Sequence, residues 1–124
     1  MLIEQQQNWH DHTRFLIADR FGSVQLETYA EKQAFGGTAF IYALWVEPAD
    51  RHKGCAYILL NRAERIAAEH NHSTVILEWY KVDTPVYVLE WYKRCGYKEI
   101  DRDESGEYVL LEKQLKNVQQ NIFG

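Results

Sequence analysis

The most constraining feature of this chain is the passage from an apolar run through a glycine-containing loop into an amphipathic segment. Ala39 to Val46 is almost continuously apolar, which predicts a central strand covered on both faces, and Pro48 ends it. From Ala56 to His70, small and apolar residues recur at helical spacing. The loop between them reads Arg51-His52-Lys53-Gly54-Cys55-Ala56. The sequence therefore predicts strand, loop and helix in that order.

This loop has the chemistry of an anion-binding site. Gly54 has no Cβ and lies where the loop becomes a helix, so successive backbone N–H groups can point at one ligand. The helix dipole adds positive potential at the same place. A solvated basic turn is the alternative interpretation, and the flanking strand and helix argue against it. The pattern predicts a phosphate or pyrophosphate site.

The rest of the chain predicts a sheet around this unit. Val75 to Trp79 is a second apolar run after the helix, and a strand–helix–strand crossover makes the two strands parallel. A hairpin of Phe15 to Ala18 and Val24 to Ala30, turning at Phe21-Gly22-Ser23, comes before. Another, of Tyr97 to Ile100 and Tyr108 to Leu115, comes after. The predicted fold class is α/β (α+β): a mixed, mostly antiparallel sheet with one parallel pair, flanked by helices.

A second helix is predicted between the parallel strand and the last hairpin. Asp83 or Thr84 can cap it, and Pro85 suits its first position because proline lacks the N–H that a first turn leaves unpaired. Gly96 suits the left-handed residue beyond its end.

Length and charge limit the possible functions. The 124 residues predict one domain, 1–124, with a short N-terminal segment at 1–12 and a frayed tail at 117–124. The net charge of −4, with acidic and basic residues interleaved, argues against nucleic-acid binding. No apolar run is long enough to cross a bilayer, and the N-terminus lacks the features of a signal peptide. With two widely separated cysteines, we expect a cytoplasmic protein without disulfides.

Two histidine pairs do not predict a metal site. His10-Asp11-His12 and His70-Asn71-His72 lie at a terminus and in a turn, and neither has a third ligand at useful spacing. We expect no metal.

Three stretches together resemble the GCN5-related N-acetyltransferase (GNAT) superfamily. The loop at residues 51–56 matches the family pattern Q/R-x-x-G-x-G/A, and it follows Leu44-Trp45-Val46-Glu47-Pro48. Trp91-Tyr92-Lys93-Arg94-Cys95-Gly96-Tyr97 is similar to the family pattern F/L-Y-E-K-x-G-F at the end of a helix. The resemblance covers roughly Ala39 to Leu115.

The resemblance implies that acetyl-CoA binds in a V between two parallel strands that splay apart. Its pyrophosphate would lie on the backbone N–H groups from about His52 to Tyr57, and its pantetheine arm beside the strand ending at Val46. The residues expected to bind it are Trp45, Val46, Arg51, His52, Lys53, Gly54, Cys55, Ala56, Tyr57, Asp83 and Thr84.

The resemblance also implies catalytic roles. Tyr92 matches the family tyrosine that protonates the departing thiolate, and a phenol with a pKa of about 10 is protonated at neutral pH. Its alternative role is that of a core aromatic. A general base should face the cleft, and Glu47 is the first choice and Glu78 the second, although either can be a surface carboxylate. Cys55 lies too far along the cofactor to act as an acetyl-accepting nucleophile.

Two departures from the family pattern bear on the cofactor and the acceptor. Pro85 stands where the family commonly has Asn, so Asp83 or Thr84 would have to replace its contact. Family members also carry an initial strand and two helices before the first hairpin, whereas only about Met1 to His12 precede it here. Either the acceptor site is open and admits a large substrate, or a second copy completes it. The many Trp and Tyr residues lead us to expect a homodimer.

The expected function is transfer of an acetyl group from acetyl-CoA to a primary amine by direct attack. The alternative is a non-catalytic module of the same fold that binds CoA or a protein partner. A nucleotide-binding module has less support, because the chain contains neither G-x-x-x-x-G-K-[ST] nor G-x-G-x-x-G.

Overall fold

The computed structural model of the chain describes residues 1–116, which form a seven-stranded sheet and two α-helices. A short 3₁₀ helix at Pro48–Asp50 follows the fourth strand. The elements are β1 (Ile3–Asn8), β2 (His12–Asp19), β3 (Gly22–Tyr29), β4 (Ala39–Val46), α1 (Cys55–Glu69), β5 (Thr74–Tyr80), α2 (Val86–Arg94), β6 (Lys98–Arg102) and β7 (Tyr108–Gln114).

The strand order across the sheet is β1-β2-β3-β4-β5-β7-β6. Among the described residues only β4 and β5 are parallel, and every other neighbouring pair is antiparallel. This arrangement confirms the predicted fold class. The predicted frayed tail, residues 117–124, lies outside the described residues.

The first hairpin turns one residue earlier than predicted. Asp19 pairs with Gly22, so the turn consists of Arg20 and Phe21. The Asp19 carboxylate accepts hydrogen bonds from the N–H groups of Phe21 at 2.8 Å and Gly22 at 3.0 Å. An aspartate that bonds its own turn in this way fixes the turn locally, a signal that the glycine alone did not give.

The segment 1–12 contributes a strand that the sequence did not predict. β1 pairs with β2 along its whole length, from Ile3 with Ala18 to Asn8 with Thr13. All six residues of β1 are exposed, so they show no alternation of apolar and polar side chains. A tight turn, closed by the Trp9 N–H donating to the His12 carbonyl at 2.8 Å, joins β1 to β2 with no helix between them.

Both helices pack against one face of the sheet. One core cluster contains buried residues of both helices together with alternate residues of β2, β3, β4, β5 and β7. No helix within residues 1–116 is both long and apolar enough to span a bilayer.

The opposite face, which we call the helix-free face, carries Glu27, Phe40, Tyr42, Glu78 and Tyr108. The prediction that β4 is covered on both faces is therefore wrong: Phe40 and Tyr42 are only half-buried. Their aromatic rings made the β4 sequence read as fully apolar, although aromatic side chains also occur on half-exposed sheet faces.

The predicted side-chain cap of α2 is also wrong. Pro85 occupies the N-cap position rather than the first helical position, and no side chain caps this helix. Asp83 and Thr84 instead form a turn in which both N–H groups donate to the Tyr80 carbonyl at 3.1 Å. Gly96, with φ 101°, ends the helix as predicted.

Candidate active site

The two parallel strands touch at one point and then diverge. Phe40 pairs with Ile76, and no further residue pair joins β4 to β5 within residues 1–116. β4 also contains a bulge: two steps along β3, from Gln25 to Ser23, face three steps along β4, from Tyr42 to Trp45. A bulge bends its strand and re-aims the residues beyond it. The result is an opening between the C-terminal ends of β4 and β5.

The bulge depends on two unusual backbone positions. Ala43 has φ 54°, a left-handed conformation that costs a non-glycine residue roughly 1–2 kcal/mol. Gly22 pairs with Val46 just beyond the bulge, and an added Cβ on Gly22 would stand 2.1 Å from the Trp45 carbonyl oxygen. The β3 backbone therefore approaches the end of β4 so closely that only glycine fits.

A cavity of about 410 Å³ adjoins this opening. It lies between the end of β4, the loop before α1, the first turn of α1 and one side of α2. Ten of the predicted site residues line it: Trp45, Val46, Arg51, His52, Gly54, Ala56, Tyr57, Asp83, Thr84 and Tyr92. The structure thus brings together residues from four separate parts of the chain.

Four predicted site residues do not line the cavity. The Lys53 ammonium points to Asp50, with 3.9 Å between Nζ and Oδ1. Cys55 is half-buried against the core. Glu47 is exposed beyond the end of β4, and Glu78 lies on the helix-free face.

Six further residues, which were not predicted as site residues, also line the cavity. They are Leu44, Pro85, Tyr87, Val88, Trp91 and Arg94. Five of them belong to α2 or its start. Tyr87, Trp91 and Arg94 recur at spacings of four and three, which puts them on one side of α2. This periodicity was visible in the sequence and could have identified that side.

The first turn of α1 offers unpaired backbone donors. Gly54 is its N-cap with φ 86°, and no side chain caps the helix. The first intrahelical bond runs from the Ile58 N–H to the Gly54 carbonyl at 3.2 Å. The N–H groups of Cys55, Ala56 and Tyr57 therefore have no partner in the helix. The first turn contains no acidic residue, so its positive potential is not neutralised there.

Arg51 fixes the loop rather than extending freely into solvent. Its Nε donates to the Val46 carbonyl at 2.9 Å, and its guanidinium lies 5.8 Å from the centre of the Trp45 ring. His52, with φ 64°, lies beside Tyr87 with 6.0 Å between ring centres. The end of β4, the loop and α2 are thus connected around the cavity mouth.

Tyr92 is the predicted proton donor that lies on the cavity wall. It lines the cavity, and within residues 1–116 its hydroxyl has no hydrogen-bond partner. Burial, and secondarily the nearby Cys95, raises the pKa of Tyr92 to about 12. The phenol is therefore protonated at neutral pH.

The carboxylates on the helix-free face are held by tyrosines. Glu78 Oε2 accepts hydrogen bonds from the hydroxyls of Tyr108 at 2.8 Å and Tyr80 at 3.1 Å. No cation lies within ion-pair distance of Glu78 among the described residues. Glu78 thus keeps both an uncompensated charge and an oxygen, Oε1, without a hydrogen bond inside residues 1–116.

Glu27 is a carboxylate that was not predicted as a site residue, and both of its oxygens accept hydrogen bonds. It accepts hydrogen bonds from Tyr42 at 2.6 Å and Tyr29 at 2.5 Å and forms an ion pair with Arg14 at 3.2 Å. Burial alone would raise the pKa of the Glu27 carboxyl, but these tyrosines and Arg14 hold it below its usual value. Glu27 is an ionised structural anchor with little capacity to accept a further proton.

The described residues contain no group of three or more His, Cys, Asp or Glu side chains arranged to bind a metal ion. The cavity wall offers the unpaired backbone N–H groups of α1, the tyrosines Tyr57, Tyr87 and Tyr92, and the carboxylate residue Asp83.

Solved structures show the same architecture. An acetyltransferase from Bacillus cereus ATCC 14579 is 25% identical, with a TM-score of 0.63 over 85% of this chain and 74% of its own. A putative GNAT-family acetyltransferase from Desulfovibrio desulfuricans is 13% identical, with a TM-score of 0.70 over 86% and 71%. PaiA N-acetyltransferase from Thermoplasma acidophilum, in complex with coenzyme A, is 22% identical, with a TM-score of 0.65 over 84% and 61%. No curated protein matches the chain.

The fold and the opening between β4 and β5 thus define an acyl-CoA N-acyltransferase architecture. A sequence model of the acetyltransferase (GNAT) domain matches residues 11–99, more than half of the chain. The protein belongs to the GNAT acetyltransferase family.

Proposed function

We propose that this protein transfers the acetyl group of acetyl-CoA to a primary amine by direct attack in a ternary complex. The observation that carries the proposal is the continuity of one cavity, which runs from the unpaired N–H groups of α1 to the opening at the end of β4 with Tyr92 on its wall. Binding of an extended phosphorylated thioester needs both ends of such a cavity. Membership of the GNAT family supports the same assignment.

The pyrophosphate would bind at the first turn of α1. The free N–H groups of Cys55, Ala56 and Tyr57, together with the helix dipole, suit an anion there. The pantetheine arm would follow β4, whose backbone at Leu44 and Trp45 has left the β5 pairing. These exposed backbone groups can bond its amides as a neighbouring strand would.

Acetyl transfer would be completed by Tyr92 and a carboxylate. The amine nitrogen attacks the thioester carbonyl carbon, the carbon–sulfur bond breaks, and Tyr92 gives its proton to the leaving sulfur. The attacking amine must lose a proton, and Glu78 is the better of the two proposed bases. It is partly enclosed by Tyr80 and Tyr108 beside the opening, whereas Glu47 is exposed beyond the strand end.

The helix-free face would receive the amine. Within residues 1–116 no helix covers the sheet on the side of Glu78, so an acceptor as large as a polypeptide terminus can approach. The net charge of −4 favours a cationic acceptor over an anionic one.

A non-catalytic CoA-binding module is the second candidate. The observation that favours it is that neither Glu47 nor Glu78 lines the cavity, although Tyr92 does. The two candidates share cofactor binding and differ in turnover.

The first experiment is a calorimetric titration with acetyl-CoA of the unmodified protein, Gly54→Glu and Gly106→Glu. Both glycines have positive φ, 86° and 74°, so the two substitutions impose similar backbone strain. Of the two, Gly54 lines the cavity, and an added Cβ there meets no protein atom within 4 Å. We expect micromolar binding by the unmodified protein and by Gly106→Glu, and none by Gly54→Glu.

Absence of binding by the unmodified protein would contradict both candidates. Binding followed by release of free thiol in a screen of small amines and peptides supports the acetyltransferase. Binding without thiol release for any amine supports the non-catalytic module.

A further inference from the structure

The two outer strands of the sheet differ in how they meet solvent. An edge strand presents a row of unpaired backbone N–H and C=O groups, and proteins commonly protect such edges with charged residues or bulges. β6 is protected in this way. It contains Lys98, Glu99, Asp101 and Arg102, and its register with β7 shifts between Glu99 and Asp101.

β1 has almost none of this protection. Its sequence, IEQQQN, contains one charged residue and no proline or lysine. Its register with β2 is unbroken over six residue pairs, so the strand is regular. The carboxylate of its one charged residue, Glu4, pairs with Arg62 of α1. All six residues are exposed, and no described residue covers the outer edge.

The sequence of β1 allows it to pair with itself. Two copies related by a two-fold axis normal to the sheet would form antiparallel strands, and paired residues then project from the same face. One residue must therefore face its own copy across the axis, and the two registers that join most of β1 put Gln5 or Gln6 in that place. A register centred on Gln6 joins residues 4–8, and one centred on Gln5 joins residues 3–7.

Neither register places like charges together. Centred on Gln6, Glu4 faces Asn8 of the other copy, and centred on Gln5 it faces Gln6. Like charges directly opposite would destabilise a strand pair. Glutamine side chains at the remaining positions can instead donate and accept hydrogen bonds across the pair.

We propose that β1 is a homodimerisation edge, at which two copies of the chain join their sheets by antiparallel pairing of β1. The sequence led us to expect a homodimer through aromatic side chains, and this proposal places the contact at a polar edge instead. This association does not require acetyl-CoA in the cavity, because the cavity lies at β4, α1 and α2 and not at β1.

Such an interface is small, so the association should be weak. One added strand pair buries less than the roughly 1,200 Å² of a stable interface, which predicts a dissociation constant in the micromolar range or above. The association must therefore be measured as a function of concentration.

The first test is sedimentation equilibrium of the unmodified chain between about 2 µM and about 300 µM, a range that spans the expected dissociation constants. The mass should rise from the 14.7 kDa of one chain towards twice that value. Gln5→Lys and Gln6→Lys are run beside it, with Gln114→Lys as the matched control. Gln114 is an exposed glutamine on β7, an inner strand, so the control adds the same charge to the same sheet away from β1.

We expect at least one β1 variant to weaken association about tenfold or more, because it sets two ammonium groups face to face on the axis. Gln114→Lys should associate like the unmodified chain. Circular dichroism and the acetyl-CoA titration show that each variant is folded, and neither readout depends on dimerisation.

The second test fixes the register. A residue that faces its own copy across the two-fold axis has its Cα about 4.5–5.5 Å from that of the copy, a distance that a disulfide can span. We expect Gln5→Cys or Gln6→Cys, but not both equally, to form a cross-linked dimer on mild oxidation. The residue that cross-links should be the one whose lysine variant weakens association more. Gln114→Cys should remain monomeric.

Three results would overturn the proposal. The unmodified chain stays at 14.7 kDa across the concentration range. The lysine variants associate as strongly as Gln114→Lys, which would place the contact on another surface. The third result is that neither Gln5→Cys nor Gln6→Cys cross-links more than Gln114→Cys.

Discussion

At the scale of single residues, Tyr92 and Gly54 carry most of the proposed function, and they differ in how far their sequence context explains them. The loop-to-helix pattern singled out Gly54 because it has no Cβ, and the structure adds its left-handed φ of 86°, which favours glycine. Tyr92 was chosen only because its position matches a family pattern. The structure adds that Tyr92 lines the cavity and that its hydroxyl has no hydrogen-bond partner within residues 1–116.

We predict that Tyr92→Phe lowers kcat by about 10²-fold and leaves KM for acetyl-CoA nearly unchanged, since only proton donation in the transition state is lost. Burial raises the pKa of Tyr92 to about 12, above the roughly 10 of a free phenol, so the group stays protonated between pH 6 and 9. The loss should therefore be uniform across that pH range. Steady-state kinetics at several pH values measure it.

Tyr87→Phe is the matched control, because Tyr87 also lines the cavity but is 55% exposed. It should change kcat by no more than about threefold. Equal losses in the two variants would show that the Tyr92 hydroxyl has no particular role.

The choice between Glu47 and Glu78 as catalytic base shows what sequence alone does not supply at the residue scale. Glu47 was preferred because it ends the central strand, but strand position does not determine where a side chain points once a bulge intervenes. The bulge at Ala43 left no sequence signal, since alanine is not a residue typical of a positive φ. Glu78 could be identified from the sequence as a candidate. Its enclosure by Tyr80 and Tyr108 could not, because it depends on the pairing of β5 with β7.

At the scale of elements, helix α1 is joined to the sheet by a buried polar contact as well as by apolar packing. Glu64, on the buried side of α1, accepts hydrogen bonds from Lys113 of β7 at 2.8 Å and from the Tyr97 hydroxyl at 2.7 Å. Burial, and secondarily the charge of Glu64, raises the pKa of Tyr97, so the phenol is protonated and donates. Glu64 is 7% exposed, which makes its charge costly without a partner.

We predict that Lys113→Met lowers the free energy of unfolding by about 2–3 kcal/mol, because it leaves the buried carboxylate with only the tyrosine hydroxyl. The estimate lies below the range for fully buried pairs because the Lys113 side chain is 27% exposed. Urea denaturation at pH 7 measures the change.

Lys93→Met makes the same substitution in a solvent-exposed ion pair, where Nζ lies 3.8 Å from Glu99. It should cost no more than about 0.5 kcal/mol. If Lys113→Met also falls within that limit, the contact contributes little to the docking of α1.

Elements with a strong apolar pattern were predictable, and the element without one was not. β4, α1 and β5 each have an apolar side or core, and their bounds agree with prediction within one residue. β1 is polar apart from Ile3 and exposed throughout, so it forms a strand only because the edge of β2 offers partners for its backbone. Long-range pairing of this kind cannot be predicted from local periodicity.

At the scale of the whole molecule, the sheet is two parts that meet at one residue pair. β1 to β4 form one part and β5 to β7 the other, and between them the strands pair only at Phe40 and Ile76. Helix α1 spans the junction, with contacts to β3 and β4 on one side and β5 on the other. The C-terminal ends of β4 and β5 therefore lack the mutual hydrogen bonds that protect the other strands.

This architecture predicts a specific pattern of amide hydrogen exchange. In the free protein, amides at the ends of β4 and β5 should exchange faster than those of β2 and β3, because each of these strand ends is paired on one edge only, β4 with β3 and β5 with β7. Acetyl-CoA placed in the opening would bond the β4 backbone at Leu44 and Trp45 and connect the two parts. We expect saturating acetyl-CoA to slow exchange at both strand ends by about tenfold or more, as binding stabilises the closed state.

The pattern separates cofactor binding across the opening from binding at the helix terminus alone. Gly54→Glu should show no slowing at either strand end, whereas Gly106→Glu should respond like the unmodified protein. Slowing confined to the first turn of α1 would mean that the pyrophosphate binds but the pantetheine arm does not enter between the strands. In that case the opening would not be the site of acetyl transfer, because the thioester could not reach Tyr92 on its wall.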